Sequence, residues 1–156
     1  MTEPKKVRTC LWFDGNGHEA AALYVSLLPD SFVETEWDQE SKKTPLVVEF
    51  TLAGAPYMAL NGGDMFKLSP ACSISVLTQD QAETDRLWTA LLAAGGEESM
   101  CGWLTDRFGV SWQITPAVLP MMMQAEDRAA AGRARDAMLT MRKLDIAALE
   151  AAFNGD

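Results

Sequence analysis

Two stretches decide the fold: TCLWFDGNGHEAAALYVSLL at Thr9–Leu28 and SISVLTQDQAETDRLWTALL at Ser73–Leu92. Sliding the first onto the second by 64 residues places Asn16 on Asp80 and aligns the apolar positions that follow. Each stretch begins with a short apolar, β-branched run typical of a strand and continues with leucines and one aromatic residue at helical spacing. Asn16 and Asp80 stand where a helix N-cap belongs, each with a glutamate three residues later. The pattern therefore predicts a strand–loop–helix unit that occurs twice.

Working outward, the first strands are predicted at 6–13 and 71–77, and the second helix is predicted to end at Gly95-Gly96. Further strands are predicted at Phe32–Asp38, Leu46–Leu52, Pro56–Leu60, Glu97–Met100, Gly102–Asp106 and Val110–Thr115, with a turn at 107–109. Gly54 aligns with Gly109 at a shift of 55 instead of 64, so the second copy is nine residues shorter. We predict two βαβββ modules, about 5–62 and 70–116, that form one α+β domain over residues 1–116.

Residues 117–156 differ in character, because Ala, Met and Arg recur there at helical spacing. We expect two or three helices that form a C-terminal appendage. Pro120 and Gly132 are predicted to break them, and Asp145 is predicted to begin the last one. The methionines of this tail favour packing against the sheet or against a second subunit.

Composition narrows the functional classes. Of 156 residues, 48% are apolar and 22% are charged, and the net charge of −9 argues against nucleic-acid and anionic-membrane partners. No apolar run approaches the ~18 residues of a membrane span, and charges near Met1–Lys6 do not match a signal peptide. Cys10, Cys72 and Cys101 form no CxxC pair, which favours a reducing cytoplasm. The single histidine, His18, excludes multi-histidine metal sites.

Three motifs carry a family resemblance: LYVSLL at Leu23–Leu28, CGWL at Cys101–Leu104 and DRFGVSWQI at Asp106–Ile114. With the tandem repeat, they resemble the vicinal oxygen chelate superfamily of glyoxalase and bleomycin-resistance proteins, and in particular its PhnB-like branch. The likeness covers about residues 5–150. It implies a curved mixed sheet around a cavity and pairing of two chains into a homodimer.

The same branch often carries the label demethylubiquinone methyltransferase. A Rossmann-type methyltransferase needs a glycine-rich strand–turn–helix loop for its cofactor. The glycine pairs Gly62-Gly63 and Gly95-Gly96 do not lie in a GxGxxG frame. Methyl transfer is therefore an activity implied by the resemblance and disfavoured by the residues.

The resemblance also implies divalent-metal ligands on the first and last strands of each module. These positions fall on Thr9, Met58, Ser73 and Gln113. None is a carboxylate or an imidazole, so we expect no tightly held metal and no other cofactor, while a weak divalent site remains open. A slip of one residue would bring Arg8 or Cys10 to the first position, and only Cys10 is then a plausible ligand.

Small polar groups with aromatic and thioether neighbours are typical of a small-molecule pocket. The pocket candidates are Thr9, Leu11, Met58, Asn61, Ser73, Cys101, Trp103 and Gln113. One hypothesis is a metal-free binding protein for a small organic molecule. The other is a lyase, isomerase or dioxygenase-like enzyme that uses a weak metal or Cys101. An interaction protein with a filled core is a third interpretation, which the small residues Thr9 and Ser73 oppose.

Overall fold

The computed structural model describes residues 3–39 and 42–156, and the chain separates into two compact units, Met1–Leu68 and Ser69–Asp156. The first unit contains β1 (Thr9–Phe13), α1 (Gly17–Leu27), β2 (Phe32–Gln39), β3 (Lys42–Leu52) and β4 (Ala55–Asn61). The second contains β5 (Ser73–Thr78), α2 (Gln81–Leu92), β6 (Glu97–Glu98), β7 (Trp103–Thr105) and β8 (Ser111–Pro116). It ends with α3 (Val118–Met123), α4 (Arg128–Met138) and α5 (Ile146–Asn154). The predicted α+β class, the two βαβββ modules and the C-terminal helices are confirmed.

The two modules share one topology. Their sheets have the strand orders β1-β4-β3-β2 and β5-β8-β7-β6. In each sheet the first strand pairs in parallel with the last one, and the remaining pairs are antiparallel. The first and last strands of a module therefore lie side by side, with the first strand at one edge of its sheet.

In the first module, α1 covers one face of the sheet. The ring of Phe50 on β3 lies 6.5 Å from that of Tyr24 on α1 and stacks on Tyr57 of β4 at 5.5 Å. Thr9 is the register partner of Tyr57, so both lie on the helix side. In the second module, the hydroxyl of Thr78 on β5 lies 2.7 Å from that of Thr84 on α2. Side chains along a strand point alternately to the two faces of its sheet. We call the face that points away from the helix of the module the distal face.

The loop that joins the first strand to the helix is one residue longer in the first module than in the second. This difference corrects the predicted alignment of the two strands. Residues 14–16 separate β1 from α1, whereas only residues 79–80 separate β5 from α2. The helices align at a shift of 64, but the ends of the strands, Phe13 and Thr78, align at 65. Because side chains alternate along a strand, one residue reverses the face. The structural equivalent of Ser73 is Arg8, and Thr9 corresponds to Ile74.

The free backbone N–H groups at the starts of α1 and α2 also have different kinds of acceptor. The Asp80 carboxylate accepts from the Glu83 backbone N–H at 2.8 Å, as predicted. Asn16 is the N-cap residue by position, but its side chain makes no capping hydrogen bond, so that part of the prediction is wrong. Its φ of −116° and ψ of 15° are not the extended backbone of a capping residue. Asn61, at the end of β4, accepts from the Gly17 N–H at 2.7 Å instead.

The C-terminal helices form a small core of their own. The Asp145 side chain accepts from the Ala148 N–H at 3.0 Å, which confirms the predicted start of α5. The predicted breaks are wrong. Pro120 lies in the first turn of α3, where a missing N–H costs no helical bond, and Gly132 lies within α4. The buried cluster consists of Leu119, Met122, Ala134, Leu144 and Leu149. No helix in the described ranges is long and apolar enough to cross a membrane.

The segment before α5 is joined to the second module through its backbone. The N–H of Cys101 donates to the carbonyl of Met141 at 2.8 Å, and that of Gly102 donates to the carbonyl of Arg142 at 2.8 Å. The Gln81 side chain of α2 accepts from the Ile146 N–H at 2.8 Å. The tail is therefore held by specific hydrogen bonds at both the β7 turn and the start of α2.

We predict that Gly102→Ala destabilises the protein more than Gly109→Ala. Both glycines have left-handed φ values, +83° and +89°, so both alanines pay about 1 kcal/mol of backbone strain. Only at Gly102 would a Cβ lie 2.9 Å from the Ile114 carbonyl oxygen and 3.0 Å from Leu144 Cδ1, which adds about 1–3 kcal/mol. Urea unfolding measures the difference, and equal losses would contradict this account of the tail contact.

Candidate functional site

The distal face of the second module brings three predicted site residues together. The Gln113 Nε2 group on β8 donates a hydrogen bond of 2.9 Å to the Ser73 Oγ on β5. Trp103 on β7 is the register partner of Gln113 from the other side. All three side chains are half-buried. A hydroxyl, an amide and an indole therefore lie side by side on one sheet face.

A buried carboxylate fixes this part of the sheet. Asp106 is 3% exposed and closes the turn between β7 and β8. It accepts from the backbone N–H groups of Phe108 at 2.9 Å and Val110 at 3.0 Å, and from the Trp112 indole N–H at 2.9 Å. The turn thus determines the register in which Trp103 meets Gln113.

Ser111 is a polar residue of the same face that the sequence analysis missed. It is the register partner of Ser73 on one side and of Thr105 on the other. Ser111 is 2% exposed, and its Oγ has no hydrogen-bond partner among the described residues. Its position two residues before Gln113 on the same strand was the signal that could have identified it.

The distal face of the first module carries a charged network instead. The Arg8 guanidinium forms an ion pair with Glu34, and its Nε lies 3.4 Å from the Glu49 Oε1. The side chains of Arg8 and Glu34 are 7% and 2% exposed. Glu49 is the register partner of Met58, which places this network beside the predicted site position. Thr51 donates a further hydrogen bond of 2.5 Å to Glu34.

This network shifts the protonation of both main partners. The hydrogen bond from Arg8 holds the pKa of Glu34 below its usual range, and the Thr51 hydroxyl acts in the same direction against the effect of burial. The hydrogen bond with Glu34 likewise raises the pKa of Arg8. Both groups are therefore charged at neutral pH, and the Arg8 guanidinium is occupied by protein acceptors.

The other predicted site residues lie elsewhere. Thr9 and Leu11 are on the helix side of β1, whereas Met58 is on the distal face. Leu11 is 3% exposed and belongs to the core. Both polar groups of the Asn61 side chain form hydrogen bonds within the protein. Its Oδ1 accepts from the Gly17 N–H, and its Nδ2 donates to the Pro45 carbonyl at 2.8 Å. None of the residues Thr9, Leu11 and Asn61 lies on the distal face, and Leu11 and Asn61 support the fold instead.

Cys101 lies in the turn before β7 rather than on a strand. Its φ of +59° is in the left-handed region, and its backbone N–H is held by the Met141 carbonyl. The thiol is half-buried, and all three cysteines of the chain are free. Cys101 therefore lies two residues before Trp103, which is the first residue of β7.

The fold implies a divalent metal, and the residues at the implied positions do not fit one. The first module offers the Arg8 guanidinium, which repels a cation, and the Met58 thioether. The second offers a hydroxyl and an amide, without the anionic oxygens that hard cations prefer. Desolvation raises the pKa of the Cys10 thiol, which disfavours the thiolate that a metal would need. Within residues 3–39 and 42–156, no three His, Cys, Asp or Glu side chains cluster to hold a metal.

Comparisons with known proteins agree on one family. A family profile described as 3-demethylubiquinone-9 3-methyltransferase matches residues 5–115. The PhnB protein of Bacillus cereus is 30% identical, with 72% of this chain and 100% of that chain covered and a TM-score of 0.65. A Pseudomonas aeruginosa protein is 25% identical, with 72% and 98% covered and a TM-score of 0.59.

A more distant structure shares the fold alone. The fosfomycin resistance protein FosX of Listeria monocytogenes is 14% identical, with 78% of this chain and 98% of that chain covered and a TM-score of 0.56. No curated protein matches the sequence.

We predict that Asn61→Ala lowers the free energy of unfolding by about 1–2 kcal/mol, because it leaves the Gly17 N–H without its acceptor. Asn16→Ala is the matched control and is expected to change it little, since the Asn16 side chain makes no capping bond. Chemical denaturation of both variants provides the measurement. A larger loss for Asn16→Ala would contradict the assignment of the cap to Asn61.

We predict that Glu34→Gln costs about 2 kcal/mol at pH 7, because it leaves the buried Arg8 without its carboxylate. Since the folded pKa of Glu34 is lowered, its contribution is complete above about pH 4.5 and disappears as the pH falls through the folded value. Urea unfolding from pH 7 to pH 3 should show the gap to wild type closing. The exposed Glu36→Gln variant is the control, and a gap independent of pH would refute the ion-pair assignment.

Proposed function

Since the chain belongs to the 3-demethylubiquinone-9 3-methyltransferase family, the PhnB-like branch of the vicinal oxygen chelate superfamily, we propose that it binds a small organic molecule at the distal faces of its sheets. We propose further that it does so without a tightly held metal. The family name describes an activity, whereas this proposal is based on the side chains of the chain itself.

One observation carries the proposal: Ser73, Gln113 and Trp103 share one face of the sheet away from α2. Neutral hydrogen-bond groups beside an aromatic wall are typical of small-molecule sites. A sheet face that served only as core would hold apolar side chains, as the α2 side does with Ile74 and Trp112. The half-buried state of the three residues leaves part of their surface for a ligand.

The methyltransferase activity in the family name receives no support from the helix starts. A nucleotide-type cofactor is commonly held by free N–H groups at the start of a helix. At α1 the Gly17 N–H already donates to Asn61. At α2 the Asp80 carboxylate occupies the Glu83 N–H, and the Glu83 carboxylate accepts from the Gln79 N–H. A protein acceptor therefore already occupies one N–H at the start of each helix, and at α2 that acceptor is anionic.

A metal-dependent enzyme is the alternative that the superfamily suggests. Its Lewis acid would need anionic or imidazole ligands, and the implied positions supply Arg8, Met58, Ser73 and Gln113. These donors favour binding over metal-assisted catalysis. We also propose a cytoplasmic homodimer, supported by three free cysteines, the acidic charge and the pairing implied by the family.

Native mass spectrometry of protein purified without added metal tests subunit count and metal content together. We expect a metal-free dimer, with Mn²⁺ binding at a Kd of about 10⁻⁴ M or weaker in a calorimetric titration. One tightly bound divalent ion per chain would refute the metal-free assignment.

Ligand binding is tested with a panel of small aromatic fragments and ¹H–¹⁵N NMR. Fragments that bind are expected to shift the side-chain resonances of Gln113 and Trp103, and Gln113→Ala is expected to weaken binding about tenfold while leaving the fold intact. The exposed Gln124→Ala variant is the control. Fragments that bind elsewhere, or no binding at all, would refute the proposed site.

A further inference from the structure

The Ser111 hydroxyl is the one buried hydroxyl in the described ranges that has no partner. Other buried hydroxyls of this protein are paired: Thr78 with Thr84, and Thr51 with Glu34. Burying a hydroxyl without a hydrogen bond costs free energy, and native proteins generally avoid it. A bound molecule that offered an acceptor to Ser111 would remove that cost.

Ser73 supplies a second donor beside Ser111. The two serines are register partners on adjacent parallel strands, whose backbones lie about 4.8 Å apart. The Ser73 Oγ already accepts a hydrogen bond from Gln113 at 2.9 Å, so its own O–H hydrogen remains to be donated. Two hydroxyl hydrogens from neighbouring strands can therefore meet at one oxygen. A carbonyl oxygen, with its two lone pairs, matches that arrangement.

The surroundings favour an uncharged ligand. The register partners around the two serines on this face are Thr105, Gln113 and Trp103, and none of them is charged. The nearest charge along the row is Glu97, which is exposed at the edge of the sheet. An anion would lose its hydration here without gaining a cation, so the local chemistry selects a neutral acceptor. The Trp103 indole adds a flat apolar surface beside it.

We infer that Ser111 and Ser73 together bind the carbonyl oxygen of a neutral, planar molecule whose apolar body lies along Trp103. This inference rests on the proposed function, since it names the class of ligand and the residues that select it. Ser111 would act as the specificity-determining residue, because its hydroxyl has no task within the protein.

The test uses three probes of one shape. Acetophenone has a neutral carbonyl, α-methylstyrene replaces that oxygen with carbon, and benzoate carries an anionic carboxylate. Each is titrated into the 156-residue chain and followed through the Gln113 and Trp103 side-chain resonances in ¹H–¹⁵N spectra. We expect acetophenone to bind about thirtyfold more tightly than either of the others, the effect of about two neutral hydrogen bonds.

Ser111→Ala should reduce this preference about fivefold by weakening acetophenone alone, because the Ser73 hydroxyl still donates to the carbonyl oxygen. Ser75→Ala is the matched control, because Ser75 lies on the same face and is exposed, and it should retain the preference. Ser111→Ala should also keep at least the wild-type urea midpoint, since its hydroxyl makes no bond in the protein. A lower midpoint would assign the hydroxyl a structural role and overturn the inference.

The outcomes separate the two proposals. If all three probes bind equally, if benzoate binds best, or if Ser111→Ala leaves the preference unchanged, the carbonyl site is refuted while ligand binding stands. If no probe moves the Gln113 and Trp103 resonances, both the carbonyl site and the proposed binding face are refuted.

Discussion

The buried carboxylate of Asp106 is the constraint on which the candidate site depends. Its hydrogen bonds to two backbone N–H groups and to the Trp112 indole close the turn between β7 and β8 in one geometry. That geometry sets the register of the two strands, and the register places Trp103 beside Gln113 and Thr105 beside Ser111. A slip of one residue would move every one of these side chains to the α2 side. The turn motif therefore acts on function through strand register rather than through contact with a ligand.

The two modules show how a duplicated fold can diverge in chemistry. Both pair their first strand with their last in parallel, so equivalent positions lie at the same edge of each sheet. In the first module, this position is Arg8, whose charge is neutralised by Glu34 in a buried network. In the second module, the equivalent residue Ser73 is small, polar and uncharged. A stable ion pair thus occupies one face, and the other face keeps hydroxyl and amide groups for a ligand. Neither arrangement supplies the anionic donors of a divalent-metal site.

Most of the fold could be predicted because its determinants are local in the sequence. Period-two and helical spacings identified the strands and helices, and the side chains of Asp80 and Asp145 begin their helices as the sequence indicated. The errors arose where a partner distant in the chain was decisive. The cap of α1 comes from Asn61, 44 residues beyond the Gly17 N–H that it accepts. Gly132 continues within α4 because the tail helices pack around a shared apolar cluster.

By itself, the sequence determined that this chain is a tandem βαβββ protein of the PhnB-like family, because repeats and motifs record periodicity and turn chemistry directly. It also brought Ser73, Gln113 and Trp103 forward as site residues. Only the tertiary structure decided which face each candidate occupies. One additional loop residue reverses the alternation in β1, so Thr9 and Leu11 join the helix side and Arg8 takes the position opposite. Only the pairing of β5, β7 and β8 revealed Ser111, because a missing hydrogen bond is a property of three-dimensional surroundings and not of a residue type.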